Sequence, residues 1–122
     1  MKRMLTCFAA LILLAVNTTA QGKDPEATFN THCRQCHTVK KGDNRLGPSL
    51  FGVVGRKAGA VEGFPYSDAL KNSGIVWDEA TLDEWIADPD AVVTGHGMKP
   101  YTGIADESVR STIIEFLKTK SE

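Results

Sequence analysis

The chain has 122 residues, 42% of them hydrophobic, with a formal net charge of −1, which bounds it to a single soluble domain. Its 14 Lys and Arg against 15 Asp and Glu provide no basic excess for phosphates, and this argues against a nucleic-acid-binding protein.

Residues 1–20 read as a cleavable export signal. Lys2 and Arg3 form a positive start, Met4 to Val16 is an apolar run broken only by Thr6, and Thr18-Thr19-Ala20 offers a small-residue cleavage site. The run is short for a membrane span and polar Asn17-Thr18-Thr19 follows it, so cleavage after Ala20 is favoured over a retained anchor. Cys7 lies inside the run without the preceding apolar residues of a lipid-attachment site, and is lost with the peptide. Removing Lys2 and Arg3 takes the basic count from 14 to 12 against an unchanged 15, a net charge of −3 for the domain of residues 21–122. Only Cys33 and Cys36 then remain, in an extracytoplasmic compartment where free thiols are expected to oxidise, which fits thiols consumed by a covalent cofactor.

Asp24-Pro25-Glu26 opens a first helix, since Pro is tolerated and acidic residues are favoured in the first turn. That helix runs through Ala27 and Phe29 into Cys33-Arg34-Gln35-Cys36-His37. C-x-x-C-H is the haem-attachment signature, in which two thiols add across two vinyl groups and the adjacent imidazole binds the iron. On one helical turn Cys33, Cys36 and His37 stand at i, i+3 and i+4, so all three project toward one porphyrin. Two other readings compete. A thioredoxin-like redox pair would follow a strand, and no strand-like run precedes Cys33. A structural zinc site would need four ligands, whereas downstream only His96 remains and His32 sits awkwardly beside Cys33. Covalent haem matches best, and it would also supplement the small core of about a hundred residues.

Beyond His37, Lys40 to Arg45 is a polar loop, followed by Gly47-Pro48-Ser49-Leu50-Phe51-Gly52. Pro48 is either an ordinary turn residue or the carbonyl that accepts the other ring N–H of His37. Four glycines between Gly52 and Gly63 predict a wrapping loop. Ser67 then caps a short helix over Asp68 to Asn72, Asp78 caps one from Glu79 to Ala87, and Asp88-Pro89 stops it. Pro89 to Gly103 reads as a second irregular loop. Asp106 caps the last helix, Glu107 to about Lys118, with Val109, Ile113, Phe116 and Leu117 on one stripe. The result is an all-α domain with long loops.

The second loop holds the candidates for the iron's sixth ligand, Met98 and His96. Met98 is preferred, because flanking glycines let the backbone approach a flat macrocycle and a thioether raises the potential. His96 is the alternative ligand, or a solvated loop histidine.

Cys-x-x-Cys-His-Thr-Val, Gly-Pro-Ser-Leu-Phe-Gly, Gly-Arg-Lys-Ala-Gly, Gly-Phe-Pro-Tyr-Ser, Lys-Asn-Ser-Gly-Ile-Val-Trp and Met-Lys-Pro-Tyr-Thr-Gly-Ile together resemble class I cytochrome c, its bacterial periplasmic and mitochondrial members above all. The resemblance covers nearly all of residues 24–120. It implies a small fold with crossing N- and C-terminal helices, in which loops wrap one covalently bound c-type haem and Phe29 meets Phe116 at the crossing. It further implies that Pro48 holds His37, that Tyr66 and Trp77 hydrogen-bond a buried haem propionate, and that Arg56 helps neutralise it.

Four positions depart from the family pattern. Trp85 stands where a Tyr often hydrogen-bonds the ligand sulfur, and Leu70 where a polar Asn is frequent. Pro25 replaces a Gly used for close helix crossing, implying a later helix start or different packing. The ligand loop reads Thr94-Gly95-His96-Gly97-Met98, with one extra residue before Gly103.

The implied function is a soluble periplasmic carrier of single electrons with His37 and Met98 as axial ligands, not an enzyme. Its partners would be a quinol–cytochrome c oxidoreductase as donor and a terminal oxidase or photosynthetic reaction centre as acceptor, as in a respiratory chain, or else a soluble dehydrogenase. A monomer is expected. Lys40, Lys41, Arg45, Lys57 and Lys99 could ring the haem edge and steer acidic partners. The rival is a haem enzyme or ligand sensor with an open sixth position, for which His96 is the available distal acid–base group.

Overall fold

Asp24 starts the first helix by accepting the N–H of Glu26 at 2.9 Å and of Ala27 at 3.4 Å. The computed structural model describes residues 24–122, so the expected export signal and Cys7 lie outside the described residues. Helix α1 spans Pro25–His32 and begins at Pro25 itself, not later as the departure from the family's Gly implied. The reason is local: the first helical position has no intrahelical use for an N–H, so Pro sits there without loss.

Helix α5, Glu107–Lys118, is opened by Asp106, whose carboxylate accepts from Ser108 N at 2.9 Å and Val109 N at 3.4 Å. Its predicted stripe of Val109, Ile113, Phe116 and Leu117 is buried, joined by Ile114, and Ile113 is 0% exposed. Helices α1 and α5 cross with Phe29 and Phe116 at the contact, their ring centroids 4.9 Å apart and tilted by 37°. This pair welds the two ends of the described chain and leaves the central loops to wrap whatever lies between.

Between them come α2 (Asp68–Lys71), α3 (Glu79–Ala87) and α4 (Pro89–Val92). A reciprocal capping box opens α3: Thr81 N donates to Asp78 Oδ1 at 2.8 Å, and Asp78 N to Thr81 Oγ1 at 2.9 Å. Leu82, Trp85 and Ile86 form its buried face, and ion pairs Lys118–Glu79 at 2.5 Å and Arg110–Asp83 at 2.7 Å tie it to α5. Helix α4 departs from the irregular loop that the sequence predicts from Pro89 onward. Pro89 instead occupies a first helical position, with Asp88 capping Ala91 N at 3.3 Å, so the stop signal of one helix is the start signal of the next.

Among the described residues there are no strands, only an isolated bridge between Lys57 and Val76, and no helix is long and apolar enough to cross a membrane. The fold is the expected all-α one.

Candidate haem site

Cys33 follows α1 directly. Its N–H caps Phe29 O at 2.8 Å, and His37 N returns to Cys33 O at 3.0 Å, so the pentapeptide makes one tight turn from Cys33 to His37. Both cysteine side chains are partly buried. Burial, then the neighbouring Cys36, pushes the Cys33 thiol up to about 12. A redox pair of the thioredoxin kind needs the opposite shift, toward a thiolate. Nor do the described residues contain a group of three or more His, Cys, Asp or Glu placed to hold a metal, which removes the zinc reading.

His37 is buried, and its Nδ1–H donates to Pro48 O at 2.8 Å. Pro48 therefore holds the His37 ring through its carbonyl and is not merely a turn residue. Burial also draws the imidazole pKa below its ordinary value, with Arg56 acting in the same direction against the Pro48 bond. The outcome is a neutral ring whose proton sits on Nδ1 and whose Nε2 lone pair is available to a metal. Gly47 keeps this arrangement open: its N–H bonds Cys36 O at 2.7 Å, and a Cβ there would overlap the imidazole. Gly47→Ala is expected to cost about 1–3 kcal/mol through overpacking, read as a lower midpoint in denaturant.

A second cluster joins Arg56, Tyr66 and Trp77. Trp77 N donates to Arg56 O at 2.9 Å, Val61 N donates to the Tyr66 hydroxyl at 3.2 Å, and the Arg56 charge reaches both Tyr66 and His37. One guanidinium nitrogen of Arg56 serves Ser49 O at 3.0 Å and Phe51 O at 3.1 Å. Its Nε is buried without an acceptor among the described residues. A buried donor left in that state costs about 1–3 kcal/mol, so the site calls for an added anionic oxygen. A haem propionate is such an oxygen, and the cluster fits the group.

The third cluster surrounds Met98. Trp85 is buried, its ring 5.0 Å from Trp77 and, edge-on, 5.0 Å from His96; Leu70 is buried in the core. Met98 packs against this core, and its loop is pinned by Ser67 Oγ donating to His96 O at 3.0 Å. Positive φ at Gly95 and Gly97 lets the chain turn sharply on either side of His96. Tyr101, three residues beyond Met98, donates to Ile86 O, and its hydroxyl pKa is raised by burial and then by the nearby Cys33. Tyr101 thus ties the Met98 loop to the end of α3.

His96 is not solvated, and both of its ring nitrogens are engaged. It is 2% exposed, its Nδ1 accepts the Met98 N–H at 2.7 Å, and its Nε2 bonds Asp90 Oδ1 at 2.9 Å. Sequence reasoning missed Asp90 altogether. The only available signal was an Asp six residues before a His in a loop, too common a pairing to single out.

The ring of basic residues is weaker than expected. Lys41 pairs with Glu122, Arg45 with Asp43 at 2.8 Å and Lys99 with Asp90 at 2.8 Å, so of the five only Lys40 and Lys57 form no direct ion pair among the described residues, and Lys40 still acts on the Asp43 carboxylate.

Comparison with known proteins agrees with this geometry. No family model matches the chain. It is 46% identical over 96 residues to cytochrome c2 iso-2 of Magnetospirillum molischianum, covering 79% of this chain and 97% of the relative. It is 49% identical over 97 residues to cytochrome c2 of Rhodoblastus acidophilus, covering 77% and 90%. Against cytochrome c of Gibberella zeae it is 42% identical over 95 residues, covering 77% and 89%. In structure it resembles cytochrome cH from Methylobacterium extorquens with a TM-score of 0.72 at 43% identity, covering 81% of this chain and 98% of that one. Such identity, over nearly the full length of relatives that are all cytochromes of the c type, leaves a single assignment: the chain belongs to the class I cytochrome c family, as an electron-transfer protein and not an enzyme, with one c-type haem bound covalently through Cys33 and Cys36.

Proposed function

We propose that this cytochrome is a soluble periplasmic carrier whose haem iron is held between His37 and Met98. The observation that carries the reading is the state of His96. With one ring nitrogen accepting from Met98 N and the other bonded to Asp90, it has no lone pair for iron and no mobile proton for distal acid–base work. The Met98 thioether is what remains on that side. The rival haem enzyme or gas sensor loses its distal group by the same observation.

When bound, the haem supplies a one-electron couple between ferrous and ferric iron. The chain's own residues keep its surroundings constant. Pro48 holds the His37 ring, the Met98 loop is tied to α2 through Ser67, and Trp77 and Trp85 exclude water. Ligands that stay in place in both oxidation states keep reorganisation small. Arg56, Tyr66 and Trp77 hold a propionate.

The export signal over residues 1–20 supports the periplasm as location. A monomer taking electrons from a quinol–cytochrome c oxidoreductase, and passing them to a terminal oxidase or photosynthetic reaction centre, suits relatives named cytochrome c2 and cytochrome c; a soluble dehydrogenase is the other possible partner. With three of the five basic residues already paired, Lys40 and Lys57 carry most of any steering charge.

The ferric absorption spectrum tests the ligand set. A weak sulfur-to-iron charge-transfer band, together with failure of the ferrous protein to bind carbon monoxide rapidly, is expected. Rapid carbon monoxide binding and no such band would instead mark an open sixth position.

A further inference from the structure

Asp90 belongs to none of the clusters that hold the haem, yet its carboxylate grips the ligand loop on both sides of Met98. Oδ1 is bonded to His96 Nε2 at 2.9 Å, and the Lys99 ammonium donates to Oδ1 at 2.8 Å and to Oδ2 at 2.9 Å. His96 precedes Met98 by two residues and Lys99 follows it by one. The carboxylate projects from α4, a short helix capped by Asp88 and so anchored at the end of α3.

The hydrogen bonds of His96 admit one arrangement. Met98 N–H donates to Nδ1, so Nδ1 carries the lone pair and the ring proton is on Nε2. Nε2–H in turn needs an acceptor, and Asp90 is that acceptor. The carboxylate therefore selects the only tautomer able to hold the Met98 amide. Trp85 braces the ring edge-on at 5.0 Å, and Ser67 holds the His96 carbonyl at 3.0 Å. Its side chain is 0% exposed, so water does not compete for either nitrogen, whereas the Lys99 arm is largely exposed and contributes less.

We propose that Asp90, acting through His96, is a positioning residue for the sixth ligand: the chain Asp90 carboxylate, His96 imidazole, Met98 N–H latches the Met98 backbone and slows its departure from ferric iron. The latch rests on the Met98 ligation proposed above. Its function is to keep the sixth position shut against small ligands, in a loop whose two glycines would otherwise let it swing.

Cyanide binding to the ferric holoprotein reads the latch, because cyanide enters only when Met98 leaves. Asp90→Ala and His96→Phe are each expected to raise the cyanide association rate by about tenfold to a hundredfold, the size of one hydrogen bond to a charged group. Met98 amide hydrogen exchange should accelerate with it. Asp90→Asn, whose amide oxygen can still accept from Nε2–H, should restore much of the wild-type rate, and Lys99→Gln should shift it less than Asp90→Ala does. Asp90 is a half-exposed side chain, so its variants carry the test if His96→Phe does not fold. Unchanged cyanide and exchange rates in Asp90→Ala overturn the latch, even if the melting temperature falls. A wild-type ferric protein without the sulfur-to-iron band overturns the ligation, and the latch with it.

Discussion

Replacing Cys33 and Cys36 together by Ala is expected to give a chain with no covalent haem and no stable fold. The regular structure cannot support itself. Helices α2 and α4 are single turns of 4 residues, α1 has 8, α3 has 9, and only α5 reaches 12. Isolated helices shorter than about 12–15 residues are marginal in water, so these depend on what they pack against. Among the described residues the thirteen buried hydrophobics include Trp77 and Trp85, which belong to the clusters read as the haem's surroundings. A porphyrin covering several hundred Å² of apolar surface contributes on the order of 10 kcal/mol, as much as the whole stability of a domain. Haem staining of a denaturing gel checks the covalent link. A well-dispersed NMR spectrum of the haem-free double variant would refute the dependence of fold on cofactor.

Met98→Ala carries the second large effect. The thioether favours ferrous iron, and in its absence water takes the sixth position and favours ferric, so the midpoint potential should fall by on the order of a few hundred mV, within the roughly 0.8 V that axial ligands command. Neither neighbour can compensate. His96 has both nitrogens engaged, and the Trp85 indole can donate a hydrogen bond but offers no lone pair to a metal. The ferric protein should lose its sulfur-to-iron band, and the ferrous protein should bind carbon monoxide readily. A potentiometric titration unchanged from wild type would mean that iron never had Met98 as a ligand.

The two sides of the haem differed in how openly the chain displayed them. On the cysteine side, Pro48 had two readings from local composition, a turn or an acceptor, and its carbonyl at 2.8 Å from His37 Nδ1 decides for the acceptor. On the Met98 side, local composition makes His96 a solvated residue or a rival ligand, whereas the fold buries it with both ring nitrogens hydrogen-bonded. What buries it comes from elsewhere in the chain: Trp85 on α3, Ser67 before α2, and Asp90 on a helix that Pro89 was taken to forbid. The basic ring met the same fate, since Glu122 and Asp90 reach Lys41 and Lys99 only in the folded state.

By itself, the sequence determined what depends on neighbours within a turn or two. The caps at Asp24, Ser67, Asp78 and Asp106, the apolar stripe of α5, and the spacing that places two thiols and an imidazole on one turn are all of this kind, because helix geometry converts short separations directly into positions. Tertiary structure alone decided which polar groups lose their water. Burial of His96, the orphaned Nε of Arg56 and the pairing of Asp90 with both flanks of Met98 each require segments far apart in the chain to arrive at one place. Desolvation is a property of that arrival, and it is what turns an ordinary loop histidine into a buried brace for the Met98 backbone.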